Sequence, residues 1–298
     1  MKIRIGFGLG ARTGVDDQAR YRLLVDELER LRFDSLWVSE RINAPGPDPT
    51  IAMAIAVART ERLKVGMSVM VLPGRNPVVL AKELASLDVL SGGRLLPAFG
   101  LGVANLAEHQ AFGVERADRA PMFDEALGLM RRLWTGEEIS HDGRFFQIDS
   151  VRVRPRPMQD PLEVWMGGVA PSELKRVGRL ADGWLPSFVT PATFATKLAE
   201  VQRVAADHGR EIDPEHFGVL IPYANGPIDD AVLAFVAARN SDVDPRDLIA
   251  DSPEALAPLV ERFVEVGASK FVATPFAPLD DVSGELERLA AVVRPLEN

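Results

Sequence analysis

The sequence predicts an α/β fold, a (β/α)8 TIM barrel with a β-hairpin excursion after the fourth helix, with residues 1–298 forming one domain. Three observations carry that prediction. Short apolar runs alternate with helical patterns eight times along the chain, which calls for parallel strands and, at that number, for closure. The third run is almost continuously apolar, as when both faces of a strand are covered. Only the segment 136–161 breaks the rhythm.

Residues 3–9 are a first, buried strand. Asp16 or Asp17 then caps a helix whose Tyr21, Leu24, Val25, Leu28 and Leu31 recur at helical spacing. Residues 35–38 form the second strand, 49–59 an alanine-rich helix, and 64–72 one continuous third strand. Asn76-Pro77 opens the third helix with a cap and a proline, and Ser91-Gly92-Gly93 ends it. The fourth strand, 95–99, precedes one long helix with Met122, Ala126, Leu129 and Leu133 on a single side. The stretch 140–144 is a hairpin turn between alternating runs, too short to hold a core of its own. Strands at 162–166, 184–185, 217–222 and 270–274, with helices at 171–181, 191–207, 229–238, 253–266 and 282–293, complete the alternation.

Composition narrows the function. Of 298 residues, 47% are hydrophobic and 26% charged, ordinary for a globular enzyme. No cysteine is present, which removes disulfides, thiolate nucleophiles and cysteine metal sites. A net charge of −9 argues against a nucleic-acid partner. The densest basic run, Arg152 to Pro157, reads as a strand edge with solvated arginines. No apolar stretch is long enough to span a membrane, and the first residues lack a signal peptide's pattern, so a cytoplasmic location is expected.

In such a barrel, chemistry sits at the C-terminal ends of the strands. Histidines 109, 141, 208 and 216 show no metal-ligand spacing, so no metal is expected, and only His109 falls on an active-face loop. There is no GxSxG elbow, and Lys270 begins its strand rather than ending it. Scarce acid–base groups point to a cofactor that carries the reaction. Gly8-Leu9-Gly10 and Gly100-Leu101-Gly102 are not full dinucleotide fingerprints. Gly167-Gly168-Val169-Ala170-Pro171 is more telling: Ala170 cannot cap the following helix, so its free N–H groups form a phosphate seat or are met by water.

The run Arg75-Asn76-Pro77-Val78-Val79-Leu80-Ala81-Lys82, continued by Leu87-Asp88-Val89-Leu90-Ser91-Gly92-Gly93-Arg94 and Gly100-Leu101-Gly102, resembles the luciferase-like monooxygenase family. Phe112-Gly113, Leu133-Trp134, Gly143 with Phe145-Phe146, Gly167-Gly168 and Ala181-Asp182-Gly183-Trp184 extend the resemblance in order over residues 1–190. It implies a barrel that binds FMN or the deazaflavin coenzyme F420, and a homodimer. The pattern is most similar to the F420-dependent branch. That likeness implies a non-prolyl cis peptide at Ser68-Val69 behind the ring, phosphate-side contacts from Gly167, Gly168, Ser187 and Phe188, and a ring contact near Asn105, while Ser39, Gly102 and Val169, at strand ends, are expected at the cofactor as well. Where sugar-phosphate dehydrogenases of the branch carry Asp-His, this chain has Ser39-Glu40, and where they carry a glutamate it has Val103, so a sugar phosphate is not the expected substrate.

Glu40 is the ionisable group placed beside the ring, either moving a proton or paired with Arg41 or Lys82. Phe7, His109 and Phe276 with Phe188 are expected to line a pocket for a small, apolar substrate. Lys197, with Lys175 and Arg176, stands near enough to receive the carboxylate tail of F420. Trp37 and Trp134 are expected in the core or an interface. Three functions are compatible with these residues: an F420-dependent oxidoreductase, an FMN-dependent monooxygenase using oxygen, or a barrel that binds cofactor without turnover.

Overall fold

Local signals set most of the helices. Asp17, Asp48 and Asn76 each turn a side-chain oxygen onto free N–H groups at a helix start, and Pro49 and Pro77 occupy first-turn positions where no donor is needed. The computed structural model describes Met1–Asn298 apart from Gly14, Asp16, Ala104 and residues 239–242. Asp16, the alternative first cap, therefore lies outside the described residues.

In chain order the elements are β1 (Arg4–Leu9), α1 (Gln18–Arg30), β2 (Ser35–Val38), α2 (Pro49–Arg59), β3 (Lys64–Met67), β4 (Met70–Val71) and α3 (Pro77–Ser91). Then come β5 (Leu95–Leu96), β6 (Ala98–Gly100), α4 (Leu106–Phe112), α5 (Arg116–Trp134), β7 (Glu138–Asp142) and β8 (Gln147–Arg152). The chain closes with β9 (Trp165–Met166), α6 (Pro171–Leu180), β10 (Gly183–Trp184), α7 (Pro191–Asp207), β11 (Gly218–Tyr223), α8 (Asp230–Ala237), α9 (Leu256–Glu265), β12 (Lys270–Pro275) and α10 (Val282–Val293).

Parallel pairing runs β11-β12-β1-β2-β3-β5 in one sheet and β10-β9-β6-β4 in a second. The two join because β3 leads into β4 and β5 into β6, while bridges Trp184 to Phe217 and Ser187 to Leu220 connect β10 to β11. The ring of strands is thereby closed, with helices outside. The third strand is interrupted where the sequence reads continuous: the Ser68–Val69 bond is cis, as the family resemblance implied. The long helix after the fourth strand is two, α4 and α5, because Gly113 adopts a left-handed φ of +65° and ends the first. The antiparallel pair β7–β8 turns at residues 143–146 rather than 140–144, since His141 and Asp142 still pair with Ile148 and Gln147.

Alternation along each strand splits the interior in two. Leu36 and Val38 of β2 and Phe271 and Ala273 of β12 face the helices, whereas Trp37 and Val272 point into the barrel with Ala98, Trp165 and Leu185. Trp37 and Trp165 meet edge to face at 6.2 Å and plug the barrel's middle. Trp134 is also core, its indole N–H donating to Ala81 O at 3.1 Å. Among the described residues no helix is long and apolar enough to cross a membrane.

Candidate active site

A cavity of about 380 Å³ opens above that plug at the C-terminal ends of the strands. Ser39 and Glu40 after β2, Ser68 and Val69 between β3 and β4, and Gly102 after β6 line one side. Gly167 and Gly168 after β9, Ser187 and Phe188 after β10, and Phe276 after β12 line the other. Residues far apart in sequence thus meet in one space.

The Ser39 hydroxyl donates to Ser68 O at 3.2 Å, tying the end of β2 to the turn between β3 and β4. Gly100 is required there for room: a Cβ at that position would lie 2.5 Å from Cγ2 of Val69. Glu40 is buried, its Oε2 accepts the Val71 N–H at 2.7 Å, and its Oε1 is paired with Arg75. Its partner is therefore Arg75, not Arg41 or Lys82. Arg41 approaches Glu108 at 3.9 Å, and Lys82 donates to Arg154 O. Burial pushes the Glu40 carboxyl above its ordinary value, only partly offset by the Val71 N–H and Arg75.

The start of α6 is not bare. Glu173, three residues into the helix, reaches back so that one carboxylate oxygen accepts the N–H groups of Val169 and Ala170, each at 2.9 Å. Gly168, at φ +94°, makes the turn that brings them together. Val169 itself does not line the cavity: its carbonyl accepts from Lys197 Nζ at 2.9 Å, which keeps Lys197 behind the seat rather than in it.

Three further expectations are corrected. Phe7 faces outward, because β1 alternates, and packs edge to face with Phe33 at 6.5 Å in the layer between barrel and helices. Asn105 spends its side chain capping α4, accepting from Ala107 at 2.9 Å and Glu108 at 3.4 Å, and is exposed. His109, on the same short helix, turns Nε2 to Val103 O at 3.1 Å and to Arg119, away from the cavity wall.

Other lining residues went unread in the sequence. Glu108 is 5% exposed, and its Oε2 has no hydrogen-bond partner among the described residues. The Thr274 hydroxyl, on the opposite wall, also lacks one. Arg12 lies over the Phe235 ring at 5.4 Å, and Phe188 contacts Phe235 and Phe276 at 6.2 and 6.0 Å, giving an aromatic rim. Glu173 had a legible signal, a glutamate three residues after a helix cap. Glu108 had none, since one acidic residue in a first turn usually serves the helix dipole.

A family model for luciferase-like monooxygenases matches residues 3–270. The phthiodiolone/phenolphthiodiolone dimycocerosates ketoreductase of Mycobacterium kansasii is 30% identical over 217 residues, 72% of this chain and 53% of that protein. The limonene 1,2-monooxygenase of Rhodococcus erythropolis is 30% identical over 199 residues, 64% of this chain and 51% of that protein. The chain thus spans about half the length of the curated relatives it matches. Among solved structures, an F420-dependent secondary alcohol dehydrogenase holding an F420–acetone adduct superposes with TM-score 0.82 at 21% identity over 100% of both chains. Monooxygenase RslO1 from Streptomyces bottropensis does so with TM-score 0.80 at 19% identity over 99% of both. At those identities the likeness is one of fold.

Proposed function

Because this chain belongs to the luciferase-like monooxygenase family, we propose that it is an F420-dependent oxidoreductase, passing a hydride between the deazaflavin and a small, apolar organic substrate. One observation carries the reading. Most residues expected at the cofactor, Ser39, Ser68, Val69, Gly102, Gly167, Gly168, Ser187 and Phe188, come from separate strand ends and line a single cavity.

The cavity suits a planar ring. Gly100 and Gly102 leave a side-chain-free wall beside Val69, and Ser39 and Ser68 offer hydroxyls at its edge. The phosphoryl side fits less simply, because Glu173 already holds the amides of Val169 and Ala170. When bound, the deazaflavin supplies a two-electron hydride donor or acceptor. The protein's part is then to exclude water and move one proton. Phe188, Phe235 and Phe276 form an apolar rim over the cavity. Glu40 takes or returns the proton, its upward shift being the direction a general acid needs near neutrality. Glu108 faces the same space with an oxygen that has no partner among the described residues. A relative named as a ketoreductase supports hydride chemistry on a carbonyl compound. One named as a limonene monooxygenase supports the second reading, FMN with oxygen.

The homodimer belongs to the same proposal. Ile51 and Ile55 on α2 and Val79 and Leu90 on the neighbouring α3 are exposed, giving an apolar face for a second copy. Sedimentation equilibrium that reads only monomer overturns it. Anaerobic titration with F420 and FMN by ring fluorescence, followed by addition of small ketones and secondary alcohols, tests the function. Tighter F420 binding is expected, with loss of the oxidised chromophore when a secondary alcohol is added and its return when a ketone is added to the reduced cofactor. Tighter FMN binding, with oxygen consumption by the reduced flavin in a parallel aerobic assay, favours the monooxygenase, and binding without turnover leaves a cofactor carrier.

A further inference from the structure

We infer that Glu173 is a built-in competitor for the cofactor's phosphoryl group, so that this chain's affinity for phosphate-bearing cofactors depends on displacing its own carboxylate. The inference rests on the proposed cofactor binding and deepens it. A phosphate monoester at this end of the cavity seeks N–H donors; Pro171 has none, and the N–H groups of Val169 and Ala170 stand behind Glu173, which lines the cavity where they do not. Both already end on one oxygen of Glu173 at 2.9 Å. The turn is closed down on that carboxylate: a Cβ at Gly168 would stand 2.6 Å from Glu173 Cδ.

Carboxylate and phosphate cannot share these donors. Both are anions seeking the same two N–H groups, and in a partly buried site their repulsion is poorly screened. The cations nearby relieve it only in part. Arg176, one turn along α6 and also lining the cavity, is held by Asp124 at 2.6 Å, and Asp124 holds Arg179 at 2.8 Å. With Lys197, whose ammonium donates to Val169 O at 2.9 Å, the cluster sets three cations against two carboxylates, one surplus positive charge for a dianion, and two once Glu173 has swung away. Glu173 is only half-buried, so its side chain can leave towards solvent. The N–H groups of Val169 and Ala170 would then be open to hold a phosphate, with Arg176 one turn along α6 lining the same cavity.

Glu173→Gln separates charge from shape, because the amide oxygen still accepts from Val169 and Ala170 while the negative charge is gone. Binding is measured by fluorescence for two pairs, F420 against its phosphate-free deazaflavin chromophore, and FMN against riboflavin. The variant is expected to bind the phosphate-bearing member of the pair it recognises roughly tenfold more tightly, about the effect of one charge at a partly buried helix start. The phosphate-free member should bind as in the parent protein. Inorganic phosphate should compete with F420 in the variant more strongly than in the parent. Unchanged or weaker affinity for the phosphate-bearing member, with the bare ring still bound, overturns the role of Glu173 and leaves the proposed function standing. A parent protein that binds neither member of either pair overturns both.

Discussion

The two ends of the barrel bury charge in opposite ways. At the N-terminal end, Lys270 is 4% exposed, yet it is paired with Asp34, which also accepts from Lys64 at 3.1 Å, and its ammonium stands 5.8 Å from the Trp37 ring. At the C-terminal end, Glu108 is as buried, but one of its carboxylate oxygens has no partner among the described residues, and Arg41 comes no nearer than 3.9 Å. The same strands run through both ends. The Trp37–Trp165 plug divides them: below it Lys270, Asp34 and Lys64 satisfy one another, and above it glycines face a cavity with oxygens of Glu108 and Thr274 that lack a partner among the described residues, as does the Trp165 indole N–H in the plug itself. A buried polar atom left unsatisfied costs stability unless a ligand meets it. The difference teaches where selection for stability stops and selection for chemistry starts.

The contrast is broken most directly by changing one carboxylate at each level. Glu40→Gln keeps size and removes ionisation. If Glu40 carries the proton, kcat falls by roughly 10²–10⁴ with cofactor affinity nearly unchanged. Glu108→Gln in parallel decides the assignment, since the larger fall identifies the proton carrier, and turnover unchanged in both leaves the cavity without acid–base work.

At the other end, Asp34→Asn strands the Lys270 ammonium. Denaturant unfolding should show a loss of about 3–5 kcal/mol, with kcat per folded molecule intact. Burial alone would raise the Asp34 carboxyl, but Lys270 and Lys64 outweigh it and hold it far below the ordinary carboxylate range. A depressed folded value means that the contribution is complete above the unfolded value near 3.8 and is lost as pH falls below it. The gap between parent and variant should therefore narrow in acid. A loss under about 1 kcal/mol would mean that the pair does not compensate the burial of Lys270.

Gly100→Ala sharpens the view that the upper end is kept clear for a ring. Its Cβ would press on Val69, so the variant should lose about 1–3 kcal/mol of folding stability and, because Val69 is pushed towards the ring's place, bind the cofactor more weakly. Equal affinity in the variant places the ring elsewhere. The smallest effect belongs to the rim: exposed Lys175→Glu should weaken F420 roughly two- to fivefold at low salt and leave FMN untouched. The difference should vanish near about 1 M salt, where screening acts within about 3 Å. A preference that ignores salt would mean that the charged tail does not meet Lys175.

The sequence by itself determined most of the barrel's order of elements, because most helix starts and stops are a local matter of caps, prolines and glycines, although α4 and α5 read as one helix and β3 and β4 as one strand. Asn76-Pro77, Gly92 and the helix Val282–Val293 needed no tertiary help. Strand-end position and motif resemblance also pointed to Ser39, Ser68, Val69, Gly102, Gly167, Gly168, Ser187 and Phe188, which all reach the cavity. Only the tertiary structure decided side-chain direction and partnership. Phe7 looked like pocket lining until strand alternation, fixed by pairing with β2 and β12, turned it outward. Asn105 and His109 were claimed by α4 and its neighbours, and Glu40 by Arg75, 35 residues away. Composition cannot show that a Glu108 oxygen finds no partner among the described residues, since that depends on which of those groups the closed barrel brings within reach of it. A residue's type is a local property; which of its atoms are left to meet a ligand is a property of the packed whole.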